Sequence, residues 1–134
     1  MSVLLDTNAL IWLLEDAAEL GDRATEEIDR AARTAHVLVS AASFWEVAML
    51  VTKKRIEVRC PVPQWRLDAL RLGIEEVQLD GELVIDAVAL PDLHADPADR
   101  FVVATALRRQ AKLVTSDARL LAWNGPLACM DARV

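Results

Sequence analysis

Four carboxylates stand where short apolar runs of this chain give way to helical patterns: Asp6, Glu46, Asp99 and Asp117. Acids gathered at one point repel one another and raise the pKa of at least one of them, a penalty that a shared divalent cation removes. Oxygen ligands favour Mg²⁺ or Mn²⁺ over zinc, and neither a histidine cluster nor a cysteine cluster competes for the ion. A cation held by a few carboxylates keeps several waters, one of which can be activated as a nucleophile.

Each acid also has a plainer reading. Glu46 stands three residues after Ser43, and Asp99 three after Asp96, which is the spacing of a capping box. Asp117 can cap the helix that follows it, and first-turn acids are favoured by the helix dipole. Asp6 can cap its own short helix, but a shared cation is the cheaper explanation. The residue interrupts an otherwise apolar stretch from Val3 to Leu14, where an unpaired buried charge is expensive.

The elements that would position these acids alternate between strand and helix, which predicts an α/β domain with a mainly parallel sheet. Val3-Leu4-Leu5 reads as the first strand, ending at Asp6, with a helix from Asn8 to Leu14 and an amphipathic one from Asp22 to Arg33. Val37-Leu38-Val39 is the second strand, Ser40 a helix N-cap, and Ala41 to Val51 the helix that carries Glu46. After the Pro61/Pro63 break come a helix over Gln64–Leu72, a weak strand over Glu75–Leu79, and a helix capped by Asp80 that runs to Leu90. Asp96-Pro97 is a helix-start signature, and the helix it opens runs through Arg100 to Gln110. Leu113-Val114-Thr115 is a strand, Asp117 to Trp123 a short helix, and Ala128-Cys129-Met130 a last strand. In open α/β sheets ligands bind beyond the carboxyl ends of the strands, and all four acids fall at that edge.

With 134 residues, 54% hydrophobic and 27% charged, the chain suits one packed domain over residues 1–134. Cys60 and Cys129 are its two cysteines, too few for a disulfide framework or a cysteine zinc site, and they fit a reducing cytoplasm. No apolar stretch is long enough to span a bilayer, so no membrane partner is expected. The net charge of −6 argues against a nucleic-acid partner, but the metal-site acids account for part of it and the basic residues are grouped. Lys53, Lys54, Arg55 and Arg59 form one group, and Arg108, Arg109 and Lys112 another. With Arg100 they are candidates for phosphate contacts, against the plainer reading of solvated helix ends. Trp12 and Trp45 fall in helices beside site residues and read as packing, with an apolar partner groove as the alternative.

Four segments together resemble the PIN-domain nucleases, and within them the VapC-type toxins of type II toxin–antitoxin pairs. They are Leu4-Leu5-Asp6-Thr7-Asn8 with Trp12, Ser43-Phe44-Trp45-Glu46, His94-Ala95-Asp96-Pro97-Ala98-Asp99-Arg100, and Leu113-Val114-Thr115-Ser116-Asp117. They occur in the family's order and span nearly the whole chain. The resemblance implies a PIN-like three-layer α/β/α domain and a metal-dependent endoribonuclease, held inactive by a cognate antitoxin and paired as a homodimer. It matches Asp6, Glu46, Asp99 and Asp117 to the family's acidic quartet, Asp96 to a further acid at the rim, and Thr7, Thr115 and Ser116 to hydroxyls that orient the carboxylates. Ala98 departs from the pattern, where a bulky residue such as Phe is expected. On this reading Asp6, Asp99 and Asp117 hold Mg²⁺, or Mn²⁺ in its place, and Glu46 orients or deprotonates the attacking water.

Other classes fit less well. A phosphoacceptor signalling domain needs an acidic pair near the first strand and a lysine after a late one, but here Asp6 precedes Thr7-Asn8 and the late strand leads to Thr115-Ser116-Asp117. A dehalogenase-like phosphatase needs a second Asp at position 8, which is Asn8. A binding module that has lost catalysis is the remaining alternative, and it has no need of all four acids.

Overall fold

The computed structural model describes residues 1–134. Its elements are β1 (Val3–Leu5), α1 (Thr7–Leu14), α2 (Asp22–Thr34), β2 (Val37–Ser40), α3 (Ala41–Thr52), α4 (Val62–Arg71) and β3 (Glu75–Val77). They continue with α5 (Gly81–Val88), α6 (Pro97–Arg109), β4 (Lys112–Thr115), α7 (Ala118–Leu121) and β5 (Cys129–Asp131). All strand pairs are parallel, in the order β3-β2-β1-β4-β5. The expectation of a mainly parallel sheet thus resolves into a wholly parallel one.

Side chains of a strand alternate between its two faces, so a central parallel strand buries both. Val3 and Leu5 of β1 face one layer, where Leu10 of α1, Ile28 of α2, Val47 of α3 and Trp65 of α4 pack. Leu4 faces the other, with Val102 and Val103 of α6 and Leu120 of α7. Helix α5 lies on α6 through Leu83 and Ala87 against Ala104. The result is a three-layer α/β/α sandwich.

Local signals set most helix starts. Ser40 caps α3 by accepting from the Ala42 N–H, Asp80 caps α5 through Leu83, and Asp96 caps α6 through Ala98 and Asp99. Helix α4 begins at Val62, ahead of the expected Gln64, because Pro63 falls in its first turn, where a missing N–H leaves no hydrogen bond unmade. Gln110 ends α6 in a left-handed conformation with φ 51°. No helix is long and apolar enough to cross a membrane.

The strand order reverses around β1. From it the chain builds outward through β2 and β3, then crosses to β4 on the other side. A crevice opens at such a switch point, beyond the carboxyl ends of β1 and β4. Register pairs Leu5 with Val114, so Asp6 and Thr115 leave the sheet side by side.

Candidate active site

Asp6 is the first residue past β1 and the N-cap of α1. Its Oδ1 accepts the Ala9 N–H at 2.8 Å, and its Oδ2 accepts the Thr115 hydroxyl at 2.5 Å. The side chain is thus fixed on both oxygens, and the residue is only 7% exposed. Burial pushes its pKa up to about 6, against hydrogen bonds from Thr115, Ala9 and the Ser116 N–H, while the charge of Asp99 adds to the rise. Capping accounts for one oxygen of Asp6 and leaves its burial unexplained.

Glu46 lies in the second turn of α3. Ser40, not Ser43, caps that helix, so the capping-box reading of Glu46 fails. Ser43 instead accepts a hydrogen bond from Thr7 at 3.1 Å, which ties α1 to α3. Desolvation raises the Glu46 pKa, Thr7 offsets part of that, and the charges of Asp99 and Asp96 raise it again.

Asp99 sits in the first turn of α6, but its carboxylate turns away from the cap. Oδ2 lies 2.6 Å from His94 Nε2. Desolvation lifts its pKa; the His94 contact lowers it, and Asp96 and Asp117 push it up. Asp96 itself is exposed and serves as N-cap at the rim. Asp117 caps α7 through the Arg119 N–H at 2.8 Å, and its pKa is lowered, first by the Arg119 side chain.

These acids converge. Asp6, Glu46, Asp96, Asp99 and Asp117 line one cleft of about 150 Å³, together with Thr7, Asn8, Leu50 and Arg119. Ligand atoms of His94, Asp99 and Asp117 come within 4.8 Å of one another. Asp6 and Glu46 share the cleft without joining that tight trio. Thr115 orients Asp6 through its hydroxyl. Ser116 acts on Asp6 by its backbone N–H, and its hydroxyl bonds neither acid.

The donor set suits a divalent cation. Three carboxyls are held above their ordinary range, and the charge of a neighbouring acid contributes to each rise. The one cation reaching in is Arg119, whose Nη2 lies 3.0 Å from Asp117 and 3.7 Å from Asp99. A hard ion held by the oxygens would relieve the repulsion that remains.

Two residues of the site escaped the sequence reading. His94 lies inside one of the motif segments but carried no assigned role, and its contact with Asp99 depends on how the loop before α6 folds back. Arg119 follows Asp117 by two positions, and the two meet because Asp117 caps α7 and turns its carboxylate back over the first turn.

The basic groups divide differently from expectation. Arg100, a candidate phosphate contact, instead donates to the carbonyls of Ala87, Val88, Leu90, Leu93 and His94, clamping the segment between α5 and α6. Arg108 is held by Asp80, Glu82 and Asp86, Arg109 by Glu75, and Lys112 by Glu27. That group serves the fold. Lys53, Lys54 and Arg55 remain exposed and unpaired, while Arg59 pairs with Glu15. Trp12 is partly buried against the core, but Trp45 is 59% exposed, contrary to its reading as packing. Helix α3 is apolar on almost every side, so its sequence does not reveal which aromatic faces outward.

A doubly wound parallel sheet with carboxylates gathered at its switch point is the architecture of an α/β domain with an acidic cleft at the carboxyl edge of its sheet. Residues 3–124 match the PIN-domain family model, and the chain belongs to the PIN-domain family. Within it, the chain is 35% identical over 126 residues to Ribonuclease VapC22 of Mycobacterium tuberculosis, covering 93% of this chain and 94% of that protein. Its fold is that of VapBC2 from Rickettsia felis, solved bound to a promoter DNA fragment, with TM-score 0.71, 16% identity and 98% of each chain covered. It is also that of VapC20 from Mycobacterium tuberculosis, a sarcin-ricin loop cleaving toxin, with TM-score 0.60 and 17% identity over 90% of this chain and 93% of that one.

Proposed function

We propose that this protein is a divalent-metal-dependent endoribonuclease, the toxin of a toxin–antitoxin pair, acting in the cytoplasm as a single nuclease domain over residues 1–134. The observation that carries the reading is the cleft at the switch point, where a buried Asp6 and the half-buried Glu46 and Asp99, all with raised pKa values, face one another. The relative named as a ribonuclease, matched over nearly its full length, supports RNA as the substrate class.

Asp6, Asp99 and Asp117 would hold the ion, with Glu46 beside them. When bound, Mg²⁺, or Mn²⁺ in its place, supplies Lewis acidity toward a phosphodiester and offsets the negative charge of the pocket. Thr115 and the Ala9 N–H fix the Asp6 carboxylate, and His94 fixes Asp99. Glu46 comes from a separate helix and is held above its ordinary pKa, which suits it to take the proton of the water that attacks phosphorus. Arg119, at the mouth, can exchange its acid partners for a phosphate oxygen.

The antitoxin reading draws on the exposed Trp45. With Leu79 and Phe101 it lines an apolar groove of about 390 Å³. Trp45 neighbours Glu46, and Pro97 of the groove opens the helix that carries Asp99, so an antitoxin segment lying there would border the cleft. A homodimer would give the toxin the twofold form common to small α/β domains.

Incubating purified protein with a mixed RNA pool and Mg²⁺ or Mn²⁺, with EDTA and Asp6→Asn as controls, tests the reading. Metal-dependent cuts that vanish in the variant support it. Intact RNA under every metal condition, from protein shown to be folded and free of antitoxin, overturns it in favour of a binding module.

A further inference from the structure

Beside the acidic cleft lies a second, larger cavity of about 340 Å³, between the loop before α6 and the segment after α7. That volume falls within the range of small-ligand pockets, roughly 300–1,000 Å³. His94 and Arg119 belong to its wall. Each also reaches into the acid cluster: His94 through its 2.6 Å contact with Asp99, Arg119 through its pairs with Asp117 and Asp99. The two hollows are therefore neighbours across a seam of two side chains.

Trp123 and Asn124 line the larger cavity too, with Asp92. The indole is held in place, its Nε1 donating to the Pro91 carbonyl at 2.8 Å. Gly125 lies so close to the ring that a Cβ there would stand 2.1 Å from its nearest carbon, so the ring is braced by backbone. Asn124 is exposed and offers an amide donor and acceptor side by side. Trp123 packs in part against the core cluster of Leu4 and Leu113 and also lines the cavity, while Asn124 belongs to neither the core nor the acid cluster.

Resting on the ribonuclease reading, we infer that this cavity is a nucleobase subsite, which takes an unpaired base of single-stranded or looped RNA next to the bond that is cut. Unstacked RNA bases are recognised by aromatic rings and by hydrogen bonds to their exposed edges, and the cavity offers one of each. A base here and a scissile phosphate in the cleft are joined by the sugar-phosphate backbone, which must cross the seam. Arg119 stands at that crossing, with a charge suited to the phosphate. Asn124 sets which base is preferred, and Trp123 supplies affinity without choosing among bases.

The test uses full-length protein, a randomised single-stranded RNA pool and Mn²⁺, with the product ends sequenced. One base should be enriched at a fixed position beside the cut. Asn124→Ala, at an exposed site, should flatten that enrichment among the cuts that the variant still makes. In an Asp6→Asn background, which removes cutting, binding of the four homotrinucleotides should follow the same base order. Trp123→Ala should weaken all four by roughly 5- to 160-fold. Trp123→Phe keeps an aromatic ring and should retain most of the affinity, and it carries this arm should the alanine variant unfold. An unbiased product profile from the unaltered protein, or an enrichment that Asn124→Ala leaves unchanged, overturns the subsite while the nuclease stands. Absence of any cutting by the unaltered protein overturns the nuclease reading itself, and the subsite with it.

Discussion

The Thr115 hydroxyl donates to Oδ2 of Asp6 and accepts the backbone N–H of Asp117 at 3.1 Å, so one buried hydroxyl links the ends of β1 and β4. Thr115→Val keeps the shape and removes both bonds. The Asp6 carboxylate loses a charge-assisted donor, and the Asp117 N–H loses its acceptor. A destabilisation of about 2–3 kcal/mol is expected, together with a further rise of the Asp6 pKa. Urea denaturation measures the first, and Mn²⁺ titration near pH 6 the second, as weakened binding. Unchanged stability would mean that the Thr115 hydroxyl contributes nothing to holding this edge.

Asp6→Asn separates the cost of the buried charge from its use. Because the folded chain holds the Asp6 proton more tightly than the unfolded chain does, its ionisation destabilises the fold at neutral pH, by at most about 3 kcal/mol. Asparagine is also a good N-cap, though it offers one acceptor oxygen where Asp6 uses two. The variant should therefore melt no lower than the unaltered protein in EDTA, while losing the rise in melting temperature that Mn²⁺ gives. A variant much less stable in EDTA would contradict the raised pKa.

How far the sequence reaches is visible in particular residues. Ser40, Asp80 and Asp96 were legible as caps because capping joins groups two or three positions apart. Asp6 was legible because capping α1 explains only part of a charge buried inside Val3–Leu14. Arg100 and Arg108 were not: their partners, the carbonyls of Ala87 to His94 and the acids of α5, meet them only once α5 packs on α6. His94 was hidden for the same reason, its role set by how a loop returns to the helix it precedes. Trp45 stayed ambiguous because an almost wholly apolar helix carries no periodicity to mark its outer face.

Arg100 offers a direct contrast between clamp and phosphate contact. Its guanidinium spreads over five carbonyl oxygens at 2.6–3.3 Å. Lysine keeps the charge but cannot reach them all, so Arg100→Lys should destabilise by about 2–4 kcal/mol. The loop that positions His94 should loosen with it. Thermal melts should show the loss, while the salt dependence of RNA affinity should stay as it is. A smaller salt slope without loss of stability would restore Arg100 to the substrate.

The remaining free cations point the other way. Glu46 and Leu50 line the cleft from α3, and Lys53, Lys54 and Arg55 follow at the C-terminal end of that helix, Lys53 as its C-cap. Replacing all three by Gln should weaken RNA binding and reduce the slope of log affinity against log salt by up to about 2. Stability should barely change, since none of them is ion-paired. Arg108→Gln should do the reverse, lowering stability and leaving the slope alone. Equal effects of the two changes on affinity would show that charge acts at long range and not by contact.

Proton and metal compete for the same oxygens. Asp6 binds its proton up to about pH 6, and Glu46 and Asp99 are also held above their ordinary values. In the metal-free protein the raised Asp6 pKa makes stability fall as pH rises from about 4 to about 6, after which its contribution is level. Metal binding runs in the opposite direction, since it needs the ionised carboxylates and releases their protons. Mn²⁺ affinity, measured by calorimetry, should therefore weaken steeply below about pH 6 and flatten above pH 7. Running the titration in buffers of different ionisation enthalpy should reveal proton release at pH 5.5 that is absent at pH 8. An affinity independent of pH between 5 and 7 would show that the ion is held without Asp6 and would move the centre of the site to Asp99 and Asp117.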